Sequence, residues 1–241
     1  MSIRDFTYSA YTELIKLIKD NGYSIVFYGD ESEQKKCILR HDIDMSMEKA
    51  LRMAELEYSL GVKSTYFVLL KTDFYNPFSA RSEDMLKRIS DMGHTIGLHF
   101  DEVAYPHGTD IPQAIKREAG ILSQAVGRKI TVVSMHRPSK ETLSANYKID
   151  GIINSYSEEY FHNYKYLSDS RRRWRENAEE IIAGGQYQNL HILTHAFWYF
   201  DEPTDIRATM AGFIRAAAFE RYYLVADNFT DIESVIKKEE L

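Results

Sequence analysis

The chain has 241 residues, 44% of them apolar, which suits one large α/β domain spanning 1–241 better than two small ones. A formal net charge of −6, from 36 acidic and 30 basic residues, excludes a nucleic-acid binder that relies on phosphate contacts, and no run of ~20 apolar residues is available to span a membrane. Cys37 is the single cysteine, so no internal disulfide can form; a reducing cytoplasm is expected, and the charged opening MSIRDFTYSAYTELIKLIKD lacks a signal peptide's apolar core.

Apolar residues at helical spacing predict a first helix over 6–23, stopped at Asn21-Gly22. SIVFYG and KCILRHDID read as strands, and the next helix runs from an N-cap at Ser46 to Gly61, with Leu51, Ala54, Leu56 and Leu60 as its core stripe. KSTYFVLL is a strand, 79–93 a helix closed by Gly93, HTIGLHF a strand, and 110–127 a helix with its proline near the start. KITVVSMH, GIINSYS, NYKYLSDS and NLHILTHAFWY complete the strands, separated by helices over 139–148 and 173–185. The longest helix covers 203–222, with YYLVADN and a last charged helix behind it. Strands alternating with helices of 10 to 18 residues signal a parallel sheet covered by helices, and about seven such units predict a distorted (β/α) barrel. No G-x-G-x-x-G opens a helix, so a dinucleotide site is unsupported.

Polar residues recur at the predicted strand ends. Asp42 and Asp44, two apart, share one face of their strand and leave His41 and Ile43 on the other. His99, His136, Asp169 and His195 end four further strands. Active sites of such barrels form at the carboxyl ends of the strands, so these residues converge there. A carboxylate with imidazoles suits zinc or another divalent first-row metal, and the chemistry that follows is hydrolysis. Asp44 is the preferred ligand and Asp42 the preferred base, although residue order leaves those two roles interchangeable.

Taken in order, LRHDID, STYFVLL, FYNPFS, GHTIGLHFD, MHRPS, YLSDS, RWR and LTHAFWY resemble the NodB-type polysaccharide deacetylases, carbohydrate esterase family 4 in the broad sense. Within that group they look like the deacetylase-like proteins of surface-polysaccharide (O-antigen or capsule) biosynthesis. The resemblance spans about residues 38 to 200. It implies a distorted barrel that removes an N-acetyl group from an amino sugar with a bound metal. By the same resemblance Asp42 is the base, Asp44 and His99 are metal ligands, Arg137 beside Pro138 orients the base, and His195 of Leu193-Thr194-His195 protonates the leaving amine. The chain departs from the pattern twice. Val103 stands where a second histidine ligand is usual, and Ala196 replaces a late proline. His136, ending an adjacent strand, is the chosen third ligand, with Asp101 or His107 as substitutes.

Plainer readings stand beside these. Asp42 and Asp44 can cap a helix and pair with Arg40, His99 can be a satisfied core histidine, and His136 can orient Arg137 or bind substrate. His41 and His94 read as structural. Asp169 supports the site or caps a helix. Arg171, Arg172, Arg173 and Arg175 form a solvated face or hold the phosphate of a nucleotide- or lipid-linked sugar. Trp174, Trp198 and Tyr199 form a wall for a sugar ring or pack in the core. The expected set is therefore Asp42, His195 and Arg137 for catalysis, Asp44, His99 and His136 for the metal, and Asp169, Arg171, Trp174, Arg175 and Trp198 for the amino-sugar substrate. The alternatives are removal of another acyl group, such as formyl, and a metal-free sugar-binding protein.

Overall fold

Helix starts follow their capping side chains. Thr7 accepts from Ala10 N–H at the start of α1 (Tyr8–Asp20), and Ser46 does the same for Lys49 at α2 (Met47–Ser59). Ser79 caps α3 (Ala80–Asp91), and Asp110 caps α4 (Ile111–Val126), which ends on Gly127 at φ 68°. The computed structural model describes residues 2–32 and 34–241, which fall into two compact units divided between Asp201 and Glu202.

In the first unit the strands are β1 (Ser24–Val26), β2 (Lys36–Ile43), β3 (Thr65–Leu69), β4 (Thr95–Asp101), β5 (Val132–His136), β6 (Ile153–Asn154), β7 (Lys165–Ser168) and β8 (Asn189–Thr194). Their order is β6-β5-β4-β3-β2-β8-β7, with β1 paired to the start of β2. Every pairing between these strands is parallel. The seven-strand path is a curled half-barrel, open between β6 and β7, and is the distorted α/β barrel expected from the sequence. Short helices α5 (Lys140–Ser144), α6 (Glu158–His162) and α7 (Ala178–Gly184) complete this unit.

The strands are buried on both faces, as parallel sheets require; Cys37, Ile38 and Leu39 have no exposed surface. Leu86, Ile89, Ile115 and Leu122 cover the outer face from α3 and α4, each worth ~1.5–3 kcal/mol of burial. Gly97 in β4 pairs in register with Phe67 in β3, and a Cβ on Gly97 would lie 2.5 Å from the Phe67 ring. Glycine there lets that ring lie against the neighbouring strand.

The expected stripe on α2 is corrected by the structure. Leu56 and Leu60 are only half-buried, whereas Met53 and Glu57 are fully covered. Glu57 enters the core because donors from three other elements and a loop meet its carboxylate. Tyr11 and Tyr66 hydroxyls and Ser64 Oγ each donate at 2.6 Å, and His41 Nε2 lies at 3.0 Å. Burial raises the Glu57 carboxyl, but His41, His94 and the Ser64 hydrogen bond outweigh it and hold the group down at about 2. His41 Nδ1 reaches Thr194 Oγ1 at 2.8 Å, so the network ties α1, α2, β2, β3 and β8 together. His41 and His94 are both buried beside this carboxylate.

Elsewhere the elements differ in extent. The helix expected over 173–185 starts only at Ala178, where the Asn177 side chain accepts from Glu180 N–H and sets the cap, and 173–177 are loop. β8 stops at Thr194, and a 3-10 turn follows at Ala196–Trp198. In the second unit, α8 (Ile206–Asn228) continues through YYLVADN, and the expected last helix is two 3-10 turns. No helix among the described residues is long and apolar enough to cross a membrane.

Candidate metal centre

β2 delivers two carboxylates to one place. Asp42 lies inside the strand and Asp44 just past its end, and His99 in β4 turns Nε2 toward both. That nitrogen is 3.4 Å from Asp44 Oδ1 and 3.5 Å from Asp42 Oδ2. His136 ends β5, one strand further along, with its ring edge-on to His99 at 5.0 Å. One ligand atom each from Asp44, His99 and His136 lies within 4.8 Å of the others.

These groups converge without satisfying one another. Asp44 Oδ1 and Asp42 Oδ1 are buried and accept no hydrogen bond. Buried carboxylate oxygens left this way are costly unless a cation or water meets them. His136 Nδ1 lies 3.1 Å from Asp101 Oδ2. With the Nδ1 proton given to Asp101, the lone pair is on Nε2, the carboxylate–histidine arrangement that orients metal-binding imidazoles. Burial, with His99 beside it, lowers the His136 pKa and favours that neutral form. Burial raises the Asp44 carboxyl, but His99, His195 and His136 outweigh it and bring the group down to about 2. One ionised carboxylate and two imidazoles fit a divalent first-row cation and leave coordination positions open.

His195 follows β8 and stands beside this cluster, its Nε2 3.7 Å from Asp44 Oδ2. Asp169, fully buried after β7, accepts from His195 Nδ1 at 2.7 Å and from the His195 backbone N–H at 3.0 Å. The Tyr199 hydroxyl donates to the same carboxylate at 3.3 Å. Burial lowers the imidazole pKa, yet Asp169, with Asp44 and Asp42 beyond it, raises it to about 9. A protonated imidazole thus presents Nε2–H to the cluster.

Other expected residues sit differently. Arg137, expected on Asp42, donates instead to Asp101 Oδ2 at 2.6 Å, its backbone turned back by a left-handed φ of 49°. Arg40 donates to Asp42 Oδ2 at 2.9 Å. In the sequence that pair is a structural alternative, with strand alternation setting Arg40 on the face of Asp42 and Asp44. Trp174 and Trp198 are 7% and 6% exposed, so neither indole offers an open face, while Arg171 and Arg175 are exposed. Val103 is 68% exposed on a 3-10 turn, Asp101 is engaged by His136 and Arg137, and His107 is exposed on a loop.

No family model and no curated protein matches this chain. Solved structures do. A family 4 carbohydrate esterase from Bacillus anthracis is 19% identical, covering 76% of this chain and 77% of its own, with a TM-score of 0.42. The Xyl-CE4 domain of a multidomain xylanase from the hindgut metagenome of Trinervitermes trinervoides is 15% identical over 78% of this chain and 84% of its own, with a TM-score of 0.45. A CE4 family pseudoenzyme from Bacillus anthracis is 14% identical over 78% and 62%, with a TM-score of 0.43.

Proposed function

We propose that this protein is a metal-dependent amidohydrolase that removes an N-acyl group, acetyl foremost, from an amino sugar. The observation that carries the reading is the meeting of Asp44, His99 and His136 within 4.8 Å, beside two buried carboxylate oxygens without hydrogen bonds. Asp44, His99 and His136 would hold the cation, with zinc the first choice for this donor set. A bound cation supplies Lewis acidity, lowering the pKa of a water and polarising a carbonyl.

The chain's own groups divide the proton work. Asp42 accepts the proton of the attacking water through Oδ1, the oxygen with no partner. His195, protonated and oriented by Asp169, gives Nε2–H to the departing nitrogen, which leaves poorly as an amide anion. Arg171 and Arg175, exposed beyond Asp169, suit the phosphate of a nucleotide- or lipid-linked sugar in surface-polysaccharide synthesis.

A released-acid assay tests this with zinc-loaded protein and a panel of N-acetyl and N-formyl amino sugars, free and nucleotide-linked. Acid release is expected from the wild type; Asp42→Asn binds zinc without turnover, whereas Asp44→Asn loses both. Zinc binding with no acid from any panel member would reduce the protein to a sugar binder.

A further inference from the structure

Arg40 is the largest fully buried side chain of the protein, and it projects from the same face of β2 as Asp42 and Asp44. Its guanidinium donates to Asp42 Oδ2 at 2.9 Å, to Ser155 Oγ at 3.0 Å and to the Tyr156 hydroxyl at 3.4 Å. The rings of Phe67 and Tyr156 each lie 5.2 Å from its central carbon. Ser155 and Tyr156 directly follow β6, at the other end of the strand order from β8 and β7, so Arg40 links the β2 carboxylate to the edge of the half-barrel.

A buried ion pair is a weak device for stability, since apolar residues of similar volume often serve as well. What this pair does is geometric. It occupies Oδ2 of Asp42, the oxygen that stands 3.5 Å from His99 Nε2 on the ligand side, and leaves Oδ1 as the buried oxygen with no partner. Arg137, the arginine expected from the sequence to orient the base, is committed elsewhere, on Asp101.

Resting on the hydrolase reading above, the geometry points to Arg40 as the positioning residue of the base: it holds Asp42 off the cation and presents Oδ1 to the water. Without the guanidinium, Asp42 carries an uncompensated charge next to His99 and is drawn to the cation as an additional ligand, where it can no longer accept a proton. Two opposite effects follow from one substitution. Zinc binding tightens, by at least tenfold, because at an effective dielectric of about 20 one more carboxylate in contact with a divalent cation outweighs a tenfold change even after much of it is lost to desolvation, while turnover falls.

The test compares Arg40→Met and Arg40→Lys by zinc titration, and by kcat and KM on whichever panel sugar the wild type hydrolyses. Arg40→Met is expected to bind zinc at least tenfold tighter, to lose at least 100-fold in kcat with little change in KM, and to regain part of that rate in millimolar guanidinium. Adding Asp42→Asn to Arg40→Met returns zinc affinity to the wild-type value. Arg40→Lys keeps the charge and the fold but cannot fork between Ser155 and Asp42; its zinc affinity stays at the wild-type value and its kcat falls. Unchanged zinc affinity in Arg40→Met, or wild-type kcat in either variant, overturns the assignment. If Arg40→Met does not fold, kcat of Arg40→Lys decides. A wild type that binds zinc and releases no acid refutes the hydrolase reading alone, because the zinc arms still report whether Arg40 restrains Asp42.

Discussion

Replacing Glu57 by leucine tests whether the polar knot behind the sheet holds the unit together. The carboxylate takes three hydroxyl hydrogen bonds at 2.6 Å and one from His41 at 3.0 Å, all without solvent. Each buried donor left unpaired costs ~1–3 kcal/mol. Ser64 Oγ can turn to His94, 3.4 Å away, and His41 can carry its proton on Nδ1 toward Thr194, so the Tyr11 and Tyr66 hydroxyls, stranded outright, set the loss at about 4 kcal/mol. With a urea m-value of about 2 kcal/mol/M, the midpoint falls by about 2 M. Glu57→Gln keeps the shape and one acceptor and loses about half as much. A pH series adds a second reading. The folded carboxyl stands at about 2 against an ordinary 4.5, so its contribution is complete above pH 4.5 and is lost as pH falls from there toward 2. About 2.5 units at 1.36 kcal/mol each give ~3 kcal/mol, and Glu57→Gln removes that slope. A leucine variant within 1 kcal/mol of wild type, or an acid slope that survives in Glu57→Gln, would refute the reasoning.

Two further outcomes follow from the site and its frame. In protein stripped of metal, the His195 imidazole is expected to titrate near 9 by NMR; Asp169→Asn removes the charge that raises it and moves it at least one unit toward 6.5, so the acid form disappears as pH rises past neutrality. An unshifted titration would mean that Asp169 does not set the proton on His195. Gly97→Ala drives a methyl into Phe67 and Val132, at an expected cost of ~1–3 kcal/mol and a Tm lower by about 3–9 °C. Because Phe67 also backs Arg40, turnover should fall with it, and an unchanged melt would show that the ring moves freely.

Much of this architecture was legible in the chain because its signals are local. Alternating strand and helix patterns gave the parallel sheet, serines and aspartates marked helix starts, and two-residue spacing put Asp42 with Asp44. The partnerships were not local. Arg137 follows the metal-side histidine in sequence, yet strand register sets Asp101 opposite His136 and a left-handed turn returns the guanidinium to Asp101. Glu57 reads as the polar side of an amphipathic helix until four donors from distant segments meet it. The two tryptophans look like a sugar wall in sequence because burial cannot be read from a single aromatic residue; both are covered. Nothing near 222–228 in the chain breaks the helix, so α8 runs on through YYLVADN.

The grip of Asp44, His99 and His136 on one cation is most directly measured by calorimetric titration of zinc into protein freed of metal with chelator. The account predicts one site per chain in the wild type, affinity at least 100-fold weaker in His99→Ala and in His136→Ala, and no comparable loss in His107→Ala, which alters an exposed loop histidine. Zinc bound equally well by His136→Ala, or no binding by the wild type at micromolar zinc, would contradict it.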